Sequence, residues 1–153
     1  MIEITKIFRF EMAHAIHGYP GSCKDIHGHS YVLHVTVTSA GSRNAYIPEP
    51  GFIMDYKELK KIVNDAIIDK LDHHLLLSEA YLQSNPRPSS QNLFIWTTEP
   101  SAENLLIFIQ QQIKEKLPAR VQLVKLRLYE TNDSYAEWIN EPLPGDTLYL
   151  TGR

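Results

Sequence analysis

The chain predicts an α+β fold, an antiparallel sheet of about four strands with two helices on one face. Three observations carry this. Apolar residues alternate over residues 2–13 and 30–39, the pattern of half-buried strands. They recur at three-four spacing over 55–70 and 101–117, the pattern of amphipathic helices. The period returns to two over 121–130 and 135–139. Antiparallel strands with two segregated helices form a layered arrangement in which both helices cover one sheet face.

In the first strand Ile2, Ile4, Phe8 and Phe10 share one face with Met12 and His14, while Glu3, Thr5, Arg9 and Glu11 take the other. Residues 14–26 contain Gly18, Pro20, Gly21 and Ser22 and read as a loop. In the second strand Tyr31, Leu33, Val35 and Val37 continue the parity of His27 and His29. A turn-rich stretch, 41–51, leads to Phe52-Ile53-Met54 as a short returning strand. Asp55 reads as a helix N-cap, with Glu58 completing a capping box. Leu59, Ile62, Val63, Ala66 and Ile67 then give one apolar face. The Pro/Ser/Asn-rich piece at 84–91 is the candidate mobile loop, and 93–96 is too short to assign. Ser101 caps the second helix, whose buried face is Leu105, Leu106, Ile109, Ile113 and Leu117, and Pro118 stops it. Strand 121–130 puts Val124, Leu126 and Leu128 on one face with Glu130 next in the row. After a last strand at 135–139, the Pro142/Pro144/Gly145 tail leaves the sheet. Open sheet edges are usually covered by association, so an oligomer is expected.

The length of 153 residues fits a single domain over 1–153. The net charge is −3, with no cationic cluster beyond Lys60-Lys61, so neither a nucleic-acid nor a membrane partner is indicated. The first residues alternate and carry charges, unlike a signal peptide or membrane span. One cysteine cannot form an internal disulfide, which fits a reducing, cytoplasmic setting.

The candidate site is the stretch from His14 to His29. His27 and His29 are two apart, so on a strand both imidazoles face one way with Cα atoms roughly 6.5–7 Å apart. His14 ends the apolar row of the first strand, and if the strands pair, three imidazoles meet. Three histidines with a fourth position open to water or substrate are the ligand set of catalytic zinc, although imidazoles also suit other divalent metals. Cys23, four residues before His27, is a candidate nucleophile or base. His17 and His34 have no partner at ligand spacing and are read as ordinary histidines.

Three further positions keep two readings each. Asp55 is either a cap or an acceptor that orients a metal histidine. Asp72-His73 is either a helix-end coincidence or an imidazole held in one tautomer by a carboxylate. Glu130, a carboxylate ending an apolar row, either sits at the rim or awaits a hydrogen-bond donor.

Taken together, these motifs resemble the 6-pyruvoyl-tetrahydropterin synthase / 6-carboxytetrahydropterin synthase family. The resemblance runs in order from Phe10-Glu11-Met12-Ala13-His14 through Cys23-Lys24-Asp25-Ile26-His27-Gly28-His29 and Gly51-Phe52-Ile53-Met54-Asp55-Tyr56. It continues in Leu71-Asp72-His73, Pro100-Ser101-Ala102-Glu103-Asn104 and Glu130-Thr131. It implies a tunnelling fold whose trimers close their sheets into a barrel, with two trimers stacked as a homohexamer. It also implies zinc on His14, His27 and His29, and 7,8-dihydroneopterin triphosphate as substrate. The implied roles are Cys23 as thiolate base, Asp72 and His73 as the second acid/base reaching a neighbouring chain's Cys23, and Glu130 as pterin anchor. Glu103 supports the pterin pocket or simply its own helix end. The compact Cys-x-x-x-His-Gly-His spacing resembles the 6-carboxy branch, with the 6-pyruvoyl product and a non-catalytic pterin-binding protein as alternatives. Ser101-Ala102 departs from the family's threonine-containing pair. His74 competes with His73, and the motif alignment favours His73.

Overall fold

The structure is a computed structural model that describes residues 2–41 and 45–140. The tail expected to leave the sheet at Pro142–Gly145 lies outside the described residues.

Alternation along the two longest strands sets the architecture. β1 (Glu3–His14) and β2 (His27–Ser39) pair antiparallel, with Phe8 opposite Leu33, Phe10 opposite Tyr31, Met12 opposite His29 and His14 opposite His27. Both apolar rows therefore fall on one face. The chain then forms one long helical segment, α1 (Tyr56–Val63), a π-helical turn at Asn64–Ile68 and α2 (Asp69–Leu71). β3 (His74–Ser78) follows, then α3 (Glu79–Ser84), β4 (Leu93–Trp96) and α4 (Ala102–Lys114). β5 (Val121–Tyr129) and β6 (Tyr135–Ile139) complete the sheet. The strand order is β4-β3-β1-β2-β5-β6. Leu59, Val63, Ala66 and Ile67 of the first helical segment and Leu105, Ile109 and Ile113 of α4 pack with Phe8, Phe10, Leu33, Val35, Leu126 and Leu128 into one core. The other face carries polar and aromatic groups, including Thr5 bonded to Thr36 at 2.8 Å and the His34 ring 5.4 Å from that of Tyr129.

The sheet differs from the expected four antiparallel strands. It has six strands and is mixed, because β3 runs parallel to β1 and β4 runs parallel to β3. Leu75-Leu76-Leu77 is a continuous apolar run, the mark of a strand in a parallel, two-sided setting, and it carries no alternation to read. Residues 52–53 form bends and Met54 is irregular, so no strand forms here, although Ile53 and Met54 are buried. The register between β2 and β5 shifts between Thr36 and Val37, with Lys125 opposite Thr36 and Leu123 opposite Val37. Val124 is therefore a bulge residue, and Leu123 joins Leu126 and Leu128 in the core row that Val124 was expected to share.

Asp55 does cap α1, accepting from Lys57 N at 2.7 Å. Glu58 faces Arg120 at 3.8 Å and does not close the expected capping box. Among the described residues no helix is long and apolar enough to cross a membrane.

Leu33 is fully buried at the centre of the sheet. Leu33→Ala is expected to lower unfolding free energy by about 2–5 kcal/mol, through lost transfer energy and the cavity left behind. Urea denaturation monitored by far-UV circular dichroism checks this.

Candidate metal centre and active site

In-register pairing brings the three predicted histidines together. One ligand nitrogen from each of His14, His27 and His29 lies within 4.8 Å of the other two. His14 is buried and the other two are half-buried. The His29 ring stands 5.2 Å from that of His14 and 5.0 Å from that of His27, edge-on to both.

Two main-chain carbonyls set the tautomers. His14 Nδ1 lies 2.7 Å from Pro100 O, and His27 Nδ1 lies 2.8 Å from Asp25 O. A carbonyl only accepts, so each Nδ1 carries the proton and each Nε2 presents a lone pair. Those two Nε2 atoms are 3.1 Å apart. Two lone pairs facing each other at that distance repel, and a cation between them removes the conflict. A bound proton is a poor substitute, because burial holds the His14 pKa below the ordinary imidazole value, although the Pro100 carbonyl pulls the other way. Nitrogens around a tetrahedral zinc stand roughly 3.3 Å apart, given Zn–N bonds of about 2.0–2.1 Å. The residues fit a metal ion, and a three-nitrogen set suits zinc that also takes a substrate atom.

Glu130 lies beside this cluster. Its Oε1 accepts from Tyr31 OH at 3.3 Å and sits 3.9 Å from His14 Nε2. Of the two readings of this carboxylate, the structure supplies the donor, a tyrosine whose ring is buried. Burial, reinforced by the Glu130 charge, pushes the Tyr31 phenol pKa up, so it stays a protonated donor.

Asp72 and His73 form a second group. His73 Nδ1 lies 3.0 Å from Asp72 Oδ1, and the same oxygen accepts from Glu11 N at 2.8 Å. The Glu11 N–H, with His73 adding to it, holds the Asp72 carboxyl below its ordinary range. An ionised Asp72 keeps the proton of His73 on Nδ1 and leaves Nε2 to exchange one. His73 is also the one described non-glycine residue with positive φ, at 60°. Its N–H donates to Glu11 O at 2.6 Å, and its carbonyl accepts from Asn92 Nδ2 at 3.2 Å. These ties hold a left-handed conformation that an L-residue rarely adopts and leave the imidazole exposed. His74 instead turns its Nδ1 back to Asp72 O at 3.0 Å. A cleft of about 410 Å³ adjoins His73, lined also by Glu11, Ala13, Gly28, Ser30 and Ser90.

Comparison with known proteins adds the family. The family model described as 6-pyruvoyl tetrahydropterin synthase matches residues 3–141. The chain belongs to this family. A relative named 6-carboxy-5,6,7,8-tetrahydropterin synthase, from Haemophilus influenzae, is 30% identical over 151 residues, covering 90% of this chain and 99% of the relative. The 6-pyruvoyl tetrahydrobiopterin synthase of Dictyostelium discoideum is 31% identical over 121 residues, covering 79% and 76% of the two chains. The solved 6-pyruvoyl tetrahydropterin synthase of Caenorhabditis elegans superposes with a TM-score of 0.67 at 21% identity, over 92% of this chain and 96% of that one. That likeness shows a shared fold. As a tetrahydropterin synthase family member, the chain is a lyase-type enzyme.

Within this family member the other expected site residues do not join the cluster of ligand atoms. Cys23 sits half-buried in a 3-10 turn, Ser22–Lys24, tied to the loop by Ile16 N→Cys23 O at 2.8 Å. It does not join the cluster of ligand atoms. Glu103 is exposed in the first turn of α4, where the helix N-terminus favours a negative charge. His34 lies on the opposite sheet face, and neither it nor His17, whose main-chain N–H donates to Glu99, joins the ligand cluster. Sequence reasoning missed the carbonyls of Asp25 and Pro100, the Tyr31 hydroxyl and the Glu11 peptide. Only Tyr31 left a signal, as the next residue in the parity of His27 and His29.

The left-handed geometry at residue 73 generates a stability prediction. Neither Gly nor Ala at this position can replace the imidazole, but Gly adopts φ = 60° without a Cβ penalty. His73→Gly is expected to be more stable than His73→Ala by about 1 kcal/mol, read from urea midpoints of the two variants.

Proposed function

We propose that the protein converts 7,8-dihydroneopterin triphosphate and one water to 6-carboxy-5,6,7,8-tetrahydropterin, releasing triphosphate and acetaldehyde, as a cytoplasmic, zinc-dependent enzyme of queuosine-type deazapurine synthesis. The observation that carries a metal-dependent reading is the pair of carbonyl-fixed histidines, His14 and His27, whose Nε2 lone pairs face each other at 3.1 Å. The compact Cys23-to-His27 spacing and the name of the Haemophilus relative favour the carboxy product. The Dictyostelium relative favours the second reading, in which triphosphate is eliminated and a 6-pyruvoyl-pterin forms.

In this reading His14, His27 and His29 hold the zinc. Bound there, zinc supplies Lewis acidity that lowers the pKa of the substrate's side-chain hydroxyls. Glu130 accepts hydrogen bonds from the pterin's exocyclic amine and ring N–H, while Tyr31 orients it through Oε1. Glu103 lends support to the pterin pocket. Cys23 acts as a thiolate that removes a side-chain proton, since the anion is the basic form. His73 delivers or accepts the second proton at Nε2, with ionised Asp72 fixing the imidazole through Nδ1. The family resemblance implies a site assembled between chains, with Asp72 and His73 reaching Cys23 of a neighbouring chain. The strands β4 and β6, each at an edge of the sheet, support barrel closure by a homo-oligomer, a dimer of trimers. A purely binding protein has no need of Cys23 or of a strained His73.

Mass spectrometry of zinc-loaded protein incubated with 7,8-dihydroneopterin triphosphate tests this. A carboxy-pterin with acetaldehyde is the expected result. A pyruvoyl-pterin without aldehyde moves the protein to the second reading, and no turnover by intact, zinc-loaded protein overturns both. Cys23→Ala should keep the metal and lose roughly 10²–10⁴-fold in turnover. His27→Ala should lose metal and activity together, read by elemental analysis alongside the rate.

A further inference from the structure

We propose that Glu99 and Asn104 are positioning residues for the metal centre, acting through the Pro100 carbonyl that sets the tautomer of His14. The inference rests on the metal reading above.

The tautomer of His14 depends on where Pro100 O points, and Pro100 belongs to the link between β4 and α4. The two residues flanking it are both tied down. Ser101 Oγ accepts from Asn104 N at 3.3 Å, and Ser101 O accepts from Leu105 N at 2.9 Å. Glu99 is held at both ends. Its main-chain carbonyl accepts from Asn104 Nδ2 at 2.8 Å and from Ser101 N at 2.9 Å. Its side-chain Oε2 accepts from His17 N at 2.7 Å, in the segment that follows His14. Glu99 therefore joins the start of α4 to the end of β1, and the buried Pro100 carbonyl between these anchors faces His14 Nδ1.

Helix capping does not explain these contacts. Ser101 already caps α4, so the Asn104 amide is not needed by the helix and reaches outside it. The Glu99 carboxylate likewise bonds a segment more than eighty residues earlier (|i−j| = 82). The motif expected to serve the pterin pocket thus gains a different task. Its asparagine holds a metal ligand's acceptor in place before any metal binds, which lowers the reorganisation needed on binding.

The test is zinc affinity of the purified full-length protein, measured by competition with a chromophoric chelator, with urea unfolding of the zinc-free protein run in parallel. Glu99→Ala and Asn104→Ala are expected to weaken zinc binding by about tenfold or more. Asn104→Asp keeps the size but loses the donor to Glu99 O, and should fall with Asn104→Ala. Glu99→Gln keeps an oxygen that accepts from His17 N, and should bind zinc like the wild type. His14→Ala is the control. If it loses zinc while Glu99→Ala and Asn104→Asp bind normally, the positioning role is overturned and the metal reading stands. If His14→Ala binds zinc normally, the metal reading fails and takes this inference with it. Affinity losses that merely track equal losses of zinc-free stability across all four variants overturn it in favour of plain structural support.

Discussion

The in-register pairing of β1 with β2 is the constraint on which the rest of the structure depends. Side chains on a strand alternate faces, so a slip of one residue would move Phe8, Phe10 and Met12 out of the core and His14 away from His27. The same register therefore pays for burial of the apolar rows and delivers three imidazoles to one end of them. Met12 opposite His29 and His14 opposite His27, with Ala13–Gly28 between them, share a sheet face with the Phe10–Tyr31 and Phe8–Leu33 rungs, whose residues lie in the core. Functional geometry is thus anchored by ordinary hydrophobic packing.

Around that ladder the chain uses main-chain groups where side chains alone would leave ambiguity. An imidazole has two tautomers, and only one presents a lone pair to a shared centre. The carbonyls of Asp25 and Pro100 choose it for His27 and His14. Both carbonyls come from loops, one beside the Cys23 turn and one ahead of α4, so elements far apart in sequence meet at the cluster. The Tyr31–Glu130 contact adds a polar pair at the boundary between core and site.

The Asp72–His73 pair shows a different economy. A left-handed histidine is unfavourable by about 1–3 kcal/mol, and here it is held by the Glu11 peptide, the Asp72 carboxylate and the Asn92 amide. The result is an exposed imidazole with its Nδ1 proton fixed, beside a cleft. Packing alone offers no reason for such a residue, whereas the proton transfer proposed for it does.

Much of this was legible in the sequence, and the rest was not, for identifiable reasons. Period-two alternation marked β1, β2 and β6, and three-four spacing with Asp55 and Ser101 marked the two main helices, because these patterns follow from which side of an element meets water. The same parity argument placed His14, His27 and His29 on one face. β3 and β4 were illegible, since the run Leu75-Leu76-Leu77 has no polar phase and Leu93–Trp96 is too short to show one. The bulge at Val124 was invisible because one inserted residue leaves the local composition unchanged while reversing the parity beyond it. Sequence alone thus determined the periodic elements, the histidine trio and the family resemblance, all of which depend on side-chain identity and local spacing. Tertiary structure alone decided the parallel edge strands, the tautomer-setting carbonyls and the clamp on His73, because each depends on main-chain groups that every residue carries, or on side chains such as Asn92 that only the fold brings to them.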